Sequence, residues 1–152
     1  MQRITTFLTF KDHGMDAVNF YTSLFMNSSI NSSMVMPGSD QLLHAAFTLD
    51  GQDYMAMDAG DHFAFSDGIS LFVSCKDQAE IDYYWDALTA DGGEPGQCGW
   101  LKDKFGVSWQ VVPKQLGVLM QSPDPAKAQK VMQTMLAMNK IVVAELQAAH
   151  DS

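Results

Sequence analysis

The nine residues ISLFVSCKD (Ile69–Asp77) lie over ITTFLTFKD (Ile4–Asp12) without a gap, Lys76-Asp77 falling on Lys11-Asp12. Both copies alternate with a period of two, as a strand with two distinct faces does. One face carries Ile4, Thr6, Leu8 and Phe10 in the first copy and Ile69, Leu71, Val73 and Cys75 in the second. The other carries Thr5, Phe7 and Thr9, matched by Ser70, Phe72 and Ser74: hydroxyl, phenyl, hydroxyl, twice over. A unit that recurs but is too small to close a core alone implies two like modules.

Working outward, each strand leads into a helical pattern. Ile81, Tyr84, Trp85 and Leu88 recur at i, i+3, i+4, i+7, and Ala17, Phe20, Tyr21 and Leu24 do the same in the first copy. Asp77 with Glu80 three residues on forms a capping box. The more apolar strand face is expected to pack on these helices, leaving the Thr/Phe/Ser face to line whatever the sheets enclose. Further strands follow at about Ser29–Met36, Leu42–Leu49 and Asp53–Asp58, the last two joined by a turn at Asp50-Gly51. In the second half they fall at Gly96–Lys102, split by a bend, and Val107–Pro113. GGEPG at Gly92–Gly96 and SPDP at Ser122–Pro125 read as loops. Asp124 then Pro125 open a last helix with Ala128, Val131, Met132, Met135 and Met138 on one stripe, either packed on the body of the domain or part of a dimer contact. The expected architecture is α+β: two βαβββ modules, about 1–66 and 67–113, and a C-terminal helical extension, about 114–150, in one domain of 152 residues.

Composition limits the partners. A hydrophobic fraction of 47% with 18% charged residues describes a globular chain, not a disordered one. The net charge of −9, with only nine Lys and Arg, argues against nucleic acid or an anionic membrane surface. No apolar run is long enough to span a bilayer, and MQRITTFLTFKD meets charge too soon for a secretory h-region. Two cysteines, Cys75 and Cys98, give neither a disulfide framework nor a Cys-x-x-Cys pair, which points to the cytoplasm. Eleven methionines fit adaptable core packing or a permissive binding surface.

The block GQCGWLKDKFGVSWQVVP (Gly96–Pro113) reads as two strands around a turn, with a tryptophan on each side and Gln110 in the second. With ITTFLTF, AVNFYTSLF, LDGQDYMAMDAGDHFAF, CKDQAEIDYYW and SPDPAKAQKVMQTMLAMNKI, it resembles the vicinal oxygen chelate superfamily of glyoxalase I, bleomycin-resistance proteins and extradiol dioxygenases. More closely it resembles the PhnB-like branch, often named 3-demethylubiquinone methyltransferase. A methyltransferase of Rossmann type needs a glycine-rich turn between its first strand and helix. Lys11-Asp12-His13-Gly14 supplies one glycine, so methyl transfer is not expected.

The resemblance implies four metal ligands, usually His, Glu or Gln, on the first and last strands of each module. The repeat makes Thr5 and Ser70 equivalent, and counting four residues on from the turn glycines Gly106 and Gly51 gives Gln110 and Met55, so the expected quartet is Thr5, Met55, Ser70 and Gln110. Two hydroxyls, a thioether and an amide are poor ligands for a catalytic divalent ion, so neither metal nor other cofactor is expected. The implied alternative is a lyase, isomerase or dioxygenase with a rearranged metal site using His44, Asp58 or His62. What remains is a cavity walled by Thr5, Phe7, Thr9, Ser70, Phe72, Ser74 and Gln110, with the loop Ala59–Gly68 and its His62 over the mouth. That mixture suits a small organic molecule. Trp100 and Trp109 read as core or rim aromatics. The expected assembly is a homodimer.

Overall fold

The computed structural model describes residues 2–152. The chain divides into two compact units, the first ending at Phe65 and the second running Ser66–Ser152.

The first unit contains β1 (Thr6–Phe10), α1 (Gly14–Leu24), β2 (Ser29–Val35), β3 (Leu42–Leu49) and β4 (Gln52–Asp58), in sheet order β1-β4-β3-β2. Strand β1 pairs parallel with β4; the other pairs are antiparallel. Asp50 and Gly51 make the β3–β4 hairpin, both at positive φ (48° and 80°), as a tight turn matched to strand twist requires. Leu8 and Phe10 of β1, Ala45, Phe47 and Leu49 of β3, and Ala17, Val18 and Tyr21 of α1 are buried. This is the helix-covered face foreseen from alternation, with one correction at its start. Ile4 and Thr6 are exposed, Ile4 at 87%. The Gln2 side chain takes up the strand edge there: its Oε1 accepts from Asp53 N at 3.1 Å and its Nε2 donates to Asp53 O at 3.1 Å.

The second unit repeats the plan with β5 (Leu71–Cys75), α2 (Gln78–Thr89), β6 (Glu94–Pro95), β7 (Trp100–Lys102) and β8 (Ser108–Pro113), in order β5-β8-β7-β6. Strand β5 is parallel to β8. Asp77 caps α2, its Oδ1 accepting from Glu80 N at 2.9 Å, while Glu80 Oε1 accepts from Lys76 N at 2.9 Å. Ile81, Trp85 and Leu88 are buried beneath this helix. As in the first unit, the strand's leading apolar residue is outside the core: Ile69 precedes β5 and is 70% exposed.

Three helices follow where one was foreseen: α3 (Lys114–Met120), α4 (Pro125–Leu136) and α5 (Val143–Asp151). Helix α4 starts at the Asp124 cap, whose Oδ1 accepts from Ala126 N at 3.0 Å. The Met138 and Asn139 carbonyls then accept from Cys98 N (2.8 Å) and Gly99 N (2.9 Å), so the chain runs as a strap rather than further helix. Gln78 holds the strap from α2, donating to Ile141 O at 3.0 Å and accepting from Val143 N at 2.8 Å. Lys140 reaches Asp82 (3.2 Å) and Asp86 (3.0 Å). Val112, Leu119, Val131, Met138, Ile141 and Leu146 bury one another and fix the three helices to the end of β8. Of the expected stripe, Val131 and Met138 are in this cluster and Met132 is 44% exposed.

Candidate functional site

In the second sheet Gln110 is flanked in register by Phe72 of β5 and Trp100 of β7. Residues paired across neighbouring strands point to the same side, so the three form one row. The adjacent row, Leu71, Trp109 and Leu101, points the other way, towards α2; Trp109 is 2% exposed and Leu101 is buried. The row of Gln110 is open: Phe72 is 59% and Trp100 37% exposed. Gln110 Nε2 donates to Ser70 Oγ at 2.9 Å, which orients the amide and leaves its oxygen as an acceptor. Ser74 stands exposed one step along β5.

A buried carboxylate holds this hairpin in shape. Asp103 Oδ1 accepts from Phe105 N (2.9 Å) and Val107 N (3.0 Å), and its Oδ2 from Trp109 Nε1 (2.8 Å). Gly106 closes the turn at φ 92°. The result fixes Trp100 opposite Gln110. Phe72, Ser74, Trp100 and Gln110 together line a cavity of ≈ 580 Å³, within the size range of small-molecule sites.

The first unit has the corresponding row. Met55 is flanked by Phe7 and Ala46 just as Gln110 is by Phe72 and Trp100. Strand pairing therefore sets Met55 equivalent to Gln110, the register obtained by counting from the two turn glycines. Phe7 is 43% exposed and lies 6.3 Å from the His44 ring; Thr5, Thr9 and Met55 are half-buried. Thr5 and Ser70 both precede their strands. His62 is exposed in the short 3-10 turn Gly60–His62.

These side chains do not fit a catalytic metal. The two strand-borne positions carry a thioether and an amide, and the two before the strands carry hydroxyls. Asp58 is occupied elsewhere. It is 3% exposed on the helix-covered face, with Oδ1 accepting from Gly14 N at 2.9 Å and Oδ2 from Leu42 N at 2.8 Å. Among the described residues no three His, Cys, Asp or Glu side chains converge on a common point.

Burial rather than catalysis accounts for the perturbed thiol and phenol. Burial, then Glu80, pushes the Cys75 thiol up to about 11, and burial raises the Tyr54 phenol. Sequence reasoning read Trp100 as a core or rim aromatic without pairing it with Gln110, and missed Cys98 and the tail residues as cavity walls. The signal for Trp100 was present: reflecting WLK onto SWQ across the Asp103–Gly106 turn sets it opposite Gln110. No such signal exists for the tail, since it meets the sheet only through tertiary packing.

Residues 2–112 match a family model described as 3-demethylubiquinone-9 3-methyltransferase. Among solved structures, a PhnB protein from Bacillus cereus, provisionally described as a 3-demethylubiquinone-9 3-methyltransferase, is 37% identical. The match covers 73% of this chain and 99% of that one, with a TM-score of 0.68. A Pseudomonas aeruginosa protein shares the fold at 21% identity (TM-score 0.59; 74% of this chain, 98% of that one). So does the fosfomycin resistance protein FosX of Listeria monocytogenes, solved with Mn(II) and sulfate, at 18% identity (TM-score 0.52; 72% and 89%). No curated protein matches the chain.

Proposed function

The chain belongs to the PhnB-like, 3-demethylubiquinone-9 3-methyltransferase-like family of the vicinal oxygen chelate superfamily, and from that premise we propose that it binds a small organic molecule on the Phe72–Gln110–Trp100 row without a metal. The single observation behind this is that row: two large aromatics left exposed around one oriented amide, over a cavity of ≈ 580 Å³. Exposed aromatic faces flanking a hydrogen-bonding group are what a planar ligand stacks on and is oriented by. Methyl transfer forms no part of the proposal, because β1 enters α1 through Lys11-Asp12-His13-Gly14 with no glycine-rich cradle.

Titration with naphthalene-2-carboxamide, followed by tryptophan emission and calorimetry, tests this reading. Saturable binding that weakens about tenfold or more in Phe72→Ala and in Trp100→Leu supports it. Binding unchanged in both variants, or no binding at all, overturns it. Elemental analysis of the purified protein checks the metal-free part: one equivalent of manganese, zinc, nickel or iron per chain is the contrary result. The proposal takes the protein as a cytoplasmic homodimer. The two free thiols fit a reducing compartment. The uncovered Ile30, Met34 and Val35 of edge strand β2 are side chains a second copy would cover. Light scattering of Met34→Lys tests the assembly, a halved mass supporting it and an unchanged dimer placing the contact elsewhere.

A further inference from the structure

The cavity has a second wall that the sheet does not supply. Leu116, Gly117 and Met120 of α3 and Met135 of α4 line it, together with Lys114. All five lie beyond residue 112, where the match to the family model ends. The lining contains no Asp or Glu, in a chain of net charge −9, and its one charged residue is Lys114. Lys11, Lys76, Lys102, Lys104 and Lys140 each pair with a carboxylate. Among the described residues Lys114 has no such partner and is exposed.

From these observations we infer that the tail selects the ligand: the molecule bound on the Phe72–Gln110–Trp100 row is apolar and carries one negative group, which pairs with Lys114. This rests on the binding reading above and specifies its ligand class. The thioethers of Met120 and Met135 and the Leu116 side chain accept an apolar ring system of varied outline. The cation, unopposed within the lining, favours an anion over its neutral isostere, and repulsion by the acidic body of the chain is weakest where no carboxylate borders the site. An ion pair at an exposed ammonium is modest, so the preference expected is about five- to tenfold.

Gly117 offers an independent handle on the wall. A Cβ added there meets nothing within 4 Å, and glycine within a helix costs stability relative to other residues. Gly117→Leu therefore adds apolar bulk at the tail side of the cavity, from a Cβ that clashes with nothing.

The test compares naphthalene-2-carboxylate with naphthalene-2-carboxamide by calorimetry at low salt, using the full chain. Wild type is expected to bind the carboxylate five- to tenfold more tightly. In Lys114→Gln the ratio falls to about one, and in Lys114→Arg it is retained. In Gly117→Leu both probes weaken about tenfold while the thermal midpoint stays at or above that of the wild type. Equal affinity of the two probes for wild type, or a preference that survives Lys114→Gln, overturns the anion assignment and leaves the binding site standing. Unaltered binding in Gly117→Leu removes the tail from the site. Failure of both probes to bind wild type overturns this inference and the binding reading together.

Discussion

Replacing Asp58 tests whether this carboxylate is a structural clamp. It stands almost fully buried and accepts from two backbone amides, Gly14 N at 2.9 Å at the start of α1 and Leu42 N at 2.8 Å at the start of β3. Asp58→Ala leaves both N–H groups without an acceptor in a buried site. At about 1–3 kcal/mol for each, the loss is about 2–6 kcal/mol. Asp58→Asn retains one acceptor oxygen and turns its NH2 towards the other amide, so the expected loss is about 1–3 kcal/mol. A second substitution sharpens the test. A Cβ on Gly14 falls 2.5 Å from Asp58 Oδ1, so Gly14→Ala destabilises the wild type although alanine is the better helix former. With Asp58→Ala in place that contact is gone, and Gly14→Ala costs less than it does alone. Urea unfolding followed by circular dichroism gives the four free energies of the cycle. Asp58→Ala within 1 kcal/mol of wild type, or a cycle that is strictly additive, would refute the clamp.

Other predictions concern caps, packing and titration. Asp77→Ala removes the α2 cap and is expected to cost about 1 kcal/mol in urea unfolding, whereas Asp77→Asn retains most of it. Ile141→Ala opens the fully buried centre of the tail cluster and is expected to cost about 2–5 kcal/mol by the same measurement. Gly99 sits at φ 83°, where an added Cβ falls 2.7 Å from Val111 O and 2.9 Å from Ile141 Cδ1. Gly99→Ala therefore lowers the thermal midpoint, and Ile141→Val does not rescue it, because the carbonyl contact and the positive φ remain. Burial raises the Cys75 thiol to about 11, so between pH 9 and 11 the unfolded chain loses a proton that the folded chain keeps. Stability falls across that window, and the fall is smaller in Cys75→Ala.

Much of the fold was legible because it is written in local chemistry. The Asp77/Glu80 box, the Asp50-Gly51 turn and the Asp124-Pro125 start each need only neighbours in sequence, and each is found in place. Duplication extended that reach. Laying Ile69–Asp77 over Ile4–Asp12 identified which face of each strand avoids the helix, and pairing across β4 and β8 sets Met55 and Gln110 at matching positions. Long-range hydrogen bonds were not legible. The stripe through Ala128, Val131, Met135 and Met138 continues past the end of α4, because periodicity does not reveal that the Met138 and Asn139 carbonyls are taken by Cys98 and Gly99. Alternation along Asp53–Asp58 puts Asp58, three residues after Met55, on the opposite face, but gives no sign of the two amides that occupy it. Helix α3 opens the expected helical extension but is not legible as a separate helix, because KQLGVLM contains a glycine and has no side-chain cap, and its Leu119 is held by packing with Val131 and Ile141.

The two units reach the same inner pairing over different lengths of chain. Position 7 pairs with 55 in the first, and position 72 with 110 in the second, so the second spans 38 residues where the first spans 48. The difference falls largely on the outer strands: β2 and β3 contain seven and eight residues, β6 and β7 two and three. The parallel pair at one side of each sheet thus forms the same frame, register for register, although the hairpin at the other side is shorter in the second unit. In engineering terms that hairpin is a splice site. Segments of other lengths inserted between α2 and Cys98 need only return the chain to Cys98 in phase, so that Cys98 and Gly99 keep their hydrogen bonds to the tail strap and Trp100 its place in the row, and the rim is then new.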